Sequence, residues 1–500
     1  MSGRFVRIIV ILALLTLAIP GTPARAQDPV ALLSLALEEQ LEVNAIVGDP
    51  ALGEDVAAIR EALVQAAPRG AAAGIQLQAA LLATSGQTQQ FVQAAAAELT
   101  SAVLLGELIF NGPDDMVPLR HQELLVHGGA GLAAINLALA SLGAGPSAPG
   151  AGPLLQAADL DLTTGYRAEI VANGLSFASA VAVADDGTVY VAEAGFSYGL
   201  VQAPPRVLRV GLDGTTAVVA EGLVGPVAGL AVHDGRLFVS HRNTISSIDL
   251  ATGSRTDIIT GLPSLGDHYN ENVAIGPDGK LYITQGSATE SGVVGPDNYL
   301  FGWLPQAPQF SDVPCRDLTL AGVNYTTGNP LTPDAVDTAT TGAYLSFGTP
   351  STPGQVVRGQ VRCSGAVLRT NLDGSGLEVF ADGFRNNYGL AFHPDGRLFV
   401  TEQGPDGRGS RPVAGPDNLY EVVQGGWYGW PDFYGGVPVT DPSRVPPGRD
   451  AQAPVLLDPP PLARPPLAQF PNHATAVGFD FSRSDAFAPV GQAFVALFGD

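Results

Sequence analysis

The feature that most constrains the fold is a short phrase that occurs four times: an apolar strand, an Asp-Gly turn and a second apolar strand. The copies are VADDGTVYVA (183–192), AVHDGRLFVS (231–240), IGPDGKLYIT (275–284) and FHPDGRLFVT (392–401). An Asp-Gly pair supplies the positive φ of a tight hairpin turn, and the flanking residues run apolar as strands do. Because one hairpin cannot bury its own faces, its recurrence predicts stacked units.

Each phrase is followed by a second pair of strand-like segments, which completes a four-stranded unit. Three such outer pairs occupy 207–223, 245–262 and 366–384. The first copies are spaced by about 45 residues, which is the length of a propeller blade. The sequence therefore predicts an all-β propeller, with a β-sandwich as the main alternative. A weaker fifth copy begins at Val477 and stops in mid-blade, so we expect the propeller to be incomplete at its carboxyl end.

The part of the chain before the repeats has a different composition. Residues 1–26 resemble an export signal, with Arg4 and Arg7, an apolar stretch 8–19 and a small-x-small cleavage site ending at Ala26. An uncleaved anchor is the alternative. Residues 27–142 are rich in Ala and Leu with helical periodicity and predict a small helical region of unknown role. Residues 143–164 form a Gly/Pro/Ala linker, and 165–500 form the predicted propeller.

Charge and cysteine content narrow the function classes. The net charge is −23, and cleavage after residue 26 would remove three of the 25 basic residues, giving about −26. Such a surface disfavours nucleic acid and anionic membranes as partners, and after signal cleavage no membrane span is expected. Export to an oxidising compartment, periplasmic or extracellular, makes a disulfide between Cys315 and Cys363 plausible. Two buried free thiols are the alternative.

Propellers bind ligands at one end of the central channel, on the loops that flank the inner strands. Asp267 and His268 precede the third phrase, Arg385 and Asn386 precede the fourth, and Gly404-Pro405 follows the fourth. Each pair also has a structural interpretation. An Asp-His pair caps strands, an Arg-Asn pair ties one blade to the next, and Gly-Pro is common in turns.

The motifs from Phe384-Arg385-Asn386 to Gly404-Pro405, with the later run from Gly426 to Pro431, carry a resemblance. They resemble the glucose/sorbosone dehydrogenase family, whose members are exported six-bladed propellers that depend on pyrroloquinoline quinone (PQQ). The resemblance covers about 165–500 and is most specific over 384–431. The helical region 27–142 lies outside it.

The resemblance implies specific roles for these residues. His268 would act as the general base on a sugar, aldose or alcohol hydroxyl, with Asp267 orienting its imidazole. Arg385, Asn386 and His268 would contact the cofactor, and Arg385 would also act in catalysis by lying against the quinone oxygens and stabilising the negative charge that develops there. A Ca²⁺ ion would bind main-chain carbonyls, here those of Gly404 and Pro405. An external electron acceptor would complete the reaction.

The sequence departs from the family in one respect and leaves other functions open. The basic residues that bind the cofactor's carboxylates belong to the last part of the family's propeller, which this sequence lacks. Arg385, Arg408 and Arg411 are the candidates to replace them. One alternative is a calcium-dependent lactonase-like hydrolase using Asp267, Glu271 and Glu402. Another is a non-catalytic binding propeller, and the oligomeric state is open.

Overall fold

The computed structural model describes residues 29–48, 55–84, 165–172, 177–195, 204–211, 214–332 and 337–498, with isolated positions between 52 and 175. One compact unit contains the described residues up to Phe177 together with Gly214 and Thr215, and a second contains the other described residues from Ala178 onward. The predicted signal 1–26 and nearly all of the linker 143–164 lie outside the described residues.

The described residues of the first unit include two long helices, α1 (Pro29–Val47) and α2 (Val56–Ala83), which pack against each other. Asp55 caps α2 by accepting hydrogen bonds from the backbone of Ala57 and Ala58, as expected of an N-cap aspartate. The helices bury apolar residues such as Leu33 and Leu77. Within the described part of the chain, no helix is both long enough and apolar enough to cross a bilayer.

The second unit is built of strands, with two short α-helices and one 3₁₀ turn (Pro442–Arg444). The strands are β1 (Ala178–Val183), β2 (Val189–Glu193), β3 (Arg206–Val210), β4 (Thr216–Ala220), β5 (Val227–His233), β6 (Arg236–His241), β7 (Thr244–Asp249), β8 (Arg255–Thr260), β9 (Asn270–Ile275), β10 (Leu281–Gln285), β11 (Leu318–Thr319), β12 (Asn324–Gly328), β13 (Thr338–Gly342), β14 (Val356–Val357), β15 (Ala366–Thr370), β16 (Glu378–Asp382), β17 (Leu390–Phe392), β18 (Leu398–Glu402), β19 (Asp417–Val422), β20 (Phe433–Tyr434), β21 (Val437–Pro438), β22 (Ala468–Phe470), β23 (Ala476–Phe481) and β24 (Ala493–Leu497). The helices are α3 (Pro296–Leu300) and α4 (Trp303–Gln306).

Four antiparallel sheets follow one another along the chain, in the orders β1-β2-β3-β4, β5-β6-β7-β8, β9-β10-β15-β16 and β17-β18-β19-β22. A two-stranded sheet, β23-β24, comes last. The first two strands of every sheet form the predicted hairpin. The third sheet passes from β10 to β15 because an insertion containing α3, α4 and β11–β14 lies between them.

The first strands of successive sheets, β1, β5, β9, β17 and β23, contact one another in that order. Apolar side chains fill the space between neighbouring sheets, for example Tyr190 with Leu230, and Phe238 with Ile283. Sheets packed face to face around their first strands form a β-propeller. The β-sandwich alternative is therefore wrong. The described residues contain four complete blades and two strands of a fifth, so a count of six stays a prediction.

Glycines matter at two kinds of position. In all four phrases the turn glycine has a positive φ, between 71° and 91°, as the Asp-Gly pattern predicts. On the inner strand β5, Gly229 has no room for a side chain. A Cβ there would lie 2.5 Å from the carbonyl oxygen of Glu271 on β9. Adjacent blades thus approach closely at the channel, beside the loops that carry the candidate site.

Cys315 and Cys363 form a disulfide that joins the segment between α4 and β11, inside the insertion, to the segment before β15. We predict that the double variant Cys315→Ser/Cys363→Ser lowers the free energy of unfolding by about 4 kcal/mol, because the bond closes a long loop of the unfolded chain. Urea unfolding with and without reductant measures this loss. An unchanged midpoint for the double variant would show that the disulfide does not stabilise the insertion.

Candidate active site

The structure brings the predicted site residues together at one end of the third and fourth blades. Arg385 donates from Nη1 to the carbonyl oxygen of Gly404, at 2.8 Å. The backbone of Asn386 pairs with Gln403, one residue before Gly404. His268 precedes β9 and is joined to Arg385 through Ser287. Three loops that are remote in sequence therefore meet at one place.

Ser287 is the residue that links the histidine to the arginine. Its backbone N–H donates to the Arg385 carbonyl at 2.7 Å, and its own carbonyl accepts from the His268 N–H at 3.1 Å. The neighbouring Gly286 leaves space for this arrangement. A Cβ at Gly286 would lie 2.4 Å from the His268 Cβ and 3.3 Å from the Asn386 Oδ1.

The imidazole of His268 is 7% exposed, and one ring nitrogen has a defined partner. Nδ1 lies 2.9 Å from the Ser287 carbonyl oxygen. A carbonyl only accepts hydrogen bonds, so Nδ1 carries the proton and Nε2 of the neutral ring keeps its lone pair. Burial, with Arg385 and Arg408 nearby, holds the pKa of His268 well below its usual range. The ring is therefore an uncharged base near pH 7.

The orienting contact at Nδ1 differs from the one expected. Ser287, rather than Asp267, accepts the Nδ1 proton. The carboxylate of Asp267 accepts instead from Asn298 Nδ2 at 2.9 Å and from Arg408 Nη1 at 3.0 Å. Asn298 lies on α3, inside the insertion, which the sequence did not connect to the site. Asp267 thus contributes negative charge to the cluster around Arg408.

Arg385 is buried among carboxylates. It is 1% exposed, and Nη2 donates to Glu290 at 2.6 Å and to Asp406 at 2.8 Å. Its backbone N–H donates to Glu402 Oε1 at 2.8 Å. Two buried polar atoms at this position have no hydrogen-bond partner within the described part of the chain. They are the Nε of Arg385 itself and the Oδ1 of the neighbouring Asn386. Unsatisfied buried polar atoms are costly in a folded protein, which makes them candidates for ligand contacts.

A second arginine, Arg408, completes the charged cluster. It contacts Asp267, Asp297 and Glu290, and its Nε lies 3.5 Å from Asp406 Oδ2. Burial raises the pKa of Asp297 to about 7. Of the three arginines proposed to replace the family's basic residues, Arg385 and Arg408 therefore lie at the site. Arg411 forms a separate buried pair with Asp432, at 2.7 Å.

The Gly404-Pro405 segment is held by its neighbours. The Gly404 N–H donates to Asp417 Oδ1 at 2.7 Å, while the Gly404 carbonyl accepts from Arg385. Among the residues that the structure describes, no three His, Cys, Asp or Glu side chains are grouped to hold a metal ion. Asp267, Glu271 and Glu402 thus do not form the carboxylate set that the hydrolase hypothesis needs. Calcium at the Gly404 and Pro405 carbonyls stays a prediction.

Burial raises the pKa of two glutamates near the site, Glu271 and Glu402. Glu271 is 2% exposed, and burial raises its pKa to about 8. Glu402 is 3% exposed, and burial raises its pKa to about 7. Glu271 is the second residue of β9 and Glu402 is the last residue of β18, so part of the acidic charge of this region is neutralised by protonation near pH 7.

Some of the site residues escaped the sequence analysis. The repeat could have indicated Ser287, because the segment after β10 corresponds to the Gln403-Gly404-Pro405 segment after β18. Only the segment after β18 was identified as a candidate. Glu290 had no such indication. It lies in the insertion, 95 residues before the arginine that it pairs with, and nothing in its surroundings marks it.

Comparison with known proteins supports the resemblance. Residues 353–468 match the sequence model of the family described as Glucose / Sorbosone dehydrogenase. Quinoprotein glucose dehydrogenase B of Acinetobacter calcoaceticus is 31% identical over 190 residues. That alignment covers 36% of this chain and 29% of the relative, so the chain spans less than a third of the relative's length. The resemblance to this family of quinoprotein sugar dehydrogenases is thus confirmed.

Solved structures with similarity to the chain include two bacterial proteins and one fungal domain. A putative oxidoreductase (glucose dehydrogenase) of Thermus thermophilus is 22% identical with a TM-score of 0.38, covering 66% of this chain and 78% of that one. The PQQ-bound aldose sugar dehydrogenase of Streptomyces coelicolor is 19% identical with a TM-score of 0.38, covering 66% and 76%. The PQQ domain of pyranose dehydrogenase from Coprinopsis cinerea is 15% identical with a TM-score of 0.42, covering 67% and 75%. TM-scores this low do not bear on function.

The raised pKa of Glu271 predicts a pH dependence of stability. Folding raises this pKa from 4.5 to about 8, so the stabilisation is complete below about pH 4.5 and is lost as the pH rises through about 8. We predict that Glu271→Gln, which stays neutral at every pH, flattens the fall in unfolding free energy between pH 5 and 8. Urea titrations at several pH values measure the slope.

A matched control for this prediction is Glu378→Gln, whose carboxylate is 41% exposed and pairs with Arg369. That variant should keep the slope of the parent protein. An unchanged slope in Glu271→Gln would mean that Glu271 is ionised in the folded state.

Proposed function

We propose that the protein is a dehydrogenase that oxidises a hydroxyl group of a sugar, aldose or related alcohol, with PQQ as its cofactor. The observation that carries the proposal is the state of His268. Its Nδ1 donates to the Ser287 carbonyl, its ring is buried and uncharged, and its Nε2 keeps a lone pair. That is the arrangement which a general base requires.

The residues beside His268 fit a polar cofactor at one edge. Arg385 Nε and Asn386 Oδ1 are buried without partners in the described residues, and both would be satisfied by polar atoms of a bound group. In this proposal Arg385 Nε would donate to a quinone oxygen, whereas Asn386 Oδ1, an acceptor, would take a hydrogen bond from an N–H or O–H group of the bound molecule. The fit to calcium is partial, because the Gly404 carbonyl already accepts from Arg385. Calcium therefore has no step in the mechanism.

The proton transfer follows from the geometry of His268. Nε2 takes the proton of the substrate hydroxyl. The carbon that bears this hydroxyl loses a hydride at the same time and becomes a carbonyl carbon. The cofactor, when bound, supplies the acceptor for that hydride. The Ser287 carbonyl stabilises the imidazolium through Nδ1–H, and Asp406 adds favourable charge. The two arginines oppose the protonated state, so His268 afterwards releases the proton readily.

The remaining parts of the proposal concern the protein's surroundings. An external electron acceptor would be needed to complete the turnover. The signal-like residues 1–26 and the disulfide between Cys315 and Cys363 both favour an exported protein. The substrate within the class of sugars and alcohols is open.

The test is dye reduction by the purified full-length chain after incubation with PQQ and Ca²⁺, over a panel of aldoses and alcohols. We predict that His268→Ala lowers kcat by about 10²- to 10⁴-fold, the usual contribution of a positioned base. Binding of PQQ, measured by equilibrium dialysis, should change little. The control is His233→Ala, because His233 is the last residue of β5 and its side chain is 37% exposed.

Two results would contradict the proposal. One is full activity in His268→Ala. The other is wild-type protein that binds PQQ but reduces no dye with any substrate of the panel.

A further inference from the structure

The charged cluster around Arg385 and Arg408 opens to solvent mainly at Asp406. The side chains of Arg385, Glu290, Asp267 and Asp297 are 1–2% exposed and that of Arg408 is 15% exposed. The side chain of Asp406 is 42% exposed. Asp406 is therefore the most exposed carboxylate of this cluster. Protein atoms also crowd Asp406 closely enough to desolvate it.

One oxygen of Asp406 lies against both arginines. Oδ2 accepts from Arg385 Nη2 at 2.8 Å and lies 3.5 Å from Arg408 Nε. The arginines hold the pKa of Asp406 well below its usual range, so it is an anion. An oxygen of a carboxylate thus occupies the solvent side of a pair of guanidinium groups, which is the geometry by which arginines bind carboxylate ligands.

The other three carboxylates of the cluster are held by contacts within the protein. Asp267 accepts from Asn298, Asp297 lies on α3, and Glu290 Oε1 accepts from the backbone of Asp406. They are buried and contact the arginines away from solvent. Asp406 is therefore the member of this cluster that an incoming ligand reaches first.

We propose that Arg385 and Arg408 form a binding site for a carboxylate group of a ligand, and that the Asp406 side chain occupies this site until the ligand displaces it. This inference rests on the proposed function, because a carboxylate of PQQ is the first candidate. A free sugar acid offers the same chemistry. Exchange of one carboxylate for another leaves the charge of the cluster unchanged, so the strongly acidic chain does not exclude an anionic ligand.

The displaced Asp406 has a second partner within reach. Its Oδ1 lies 3.7 Å from Nδ1 of His473, a side chain that is 62% exposed. Contact with Asp406 raises the pKa of His473. The next residue, Gly407, has a positive φ of 72°, a conformation in which glycine is unstrained. Rotation toward His473 would free both guanidinium groups without leaving the Asp406 carboxylate unpaired.

The test is equilibrium dialysis of PQQ against the full-length chain and its Asp406→Asn variant. The amide keeps the size of the side chain but removes the competing charge. We expect the variant to bind PQQ about tenfold more tightly, since a neutral amide oxygen accepts from Arg385 more weakly than a carboxylate and is more easily displaced. Arg408→Gln should bind about tenfold more weakly than the parent.

Controls separate the carboxylate from the rest of the ligand. Asp395→Asn, a surface aspartate that pairs with Arg397, should bind PQQ as the parent does. The trimethyl ester of PQQ has no carboxylate, so it should bind the parent and Asp406→Asn equally. Circular dichroism establishes folding of each variant. If Arg408→Gln does not fold, Asp406→Asn with the ester carries the test.

A parallel titration with glucuronate distinguishes the source of the carboxylate. Glucuronate binding that strengthens in Asp406→Asn, without any PQQ binding, would support the carboxylate site and refute the proposed cofactor. PQQ binding that is equal in the parent and in Asp406→Asn would refute the carboxylate site and leave the cofactor proposal standing. Absence of binding by both probes in every variant would overturn the site, as would an equal gain with the ester.

Discussion

The peptide backbone of Ser287 is the constraint on which the candidate site depends. Its carbonyl fixes the tautomer of His268, and its N–H holds the carbonyl of Arg385. The segment that follows β10 in the third blade thereby links a base and a cation that lie 117 residues apart in the numbering of the chain. Because the contacts are to backbone, they are maintained by the fold and do not depend on the serine hydroxyl.

Buried charge around Arg385 would be unfavourable if it were unpaired, and the structure compensates it almost completely. Arg385 and Arg408 face four carboxylates, and burial shifts part of that excess charge toward the protonated state, as the raised pKa of Asp297 indicates. Buried ion pairs of this kind contribute little net stability, yet removal of one partner is costly. Their presence next to an unsatisfied Arg385 Nε and a neutral His268 favours a role in binding rather than in folding.

The sequence predicted the blades because each depends on a local pattern. The Asp-Gly turns, the outer strand pairs and the inner hairpin order are all present in the structure. The positions of His268, Arg385 and Gly404 followed from the same pattern, since loops that flank inner strands meet at one end. The partners of those residues did not. Ser287 stands after β10 as Gly404 stands after β18, but its contacts are not visible in the sequence. Glu290 and Asn298 come from an insertion with no repeat, and their contacts arise from tertiary packing that a single sequence does not encode locally.

The central claim is that His268 is an uncharged base whose proton resides on Nδ1. Nitrogen NMR of ¹⁵N-histidine-labelled protein, with His268→Gln used to assign the resonance, tests it most directly. The account predicts a protonated Nδ1 and an unprotonated Nε2 near pH 7, unchanged as the pH falls through about 6.5, where an ordinary histidine titrates. A proton on Nε2 instead, or titration at the ordinary value, would contradict it.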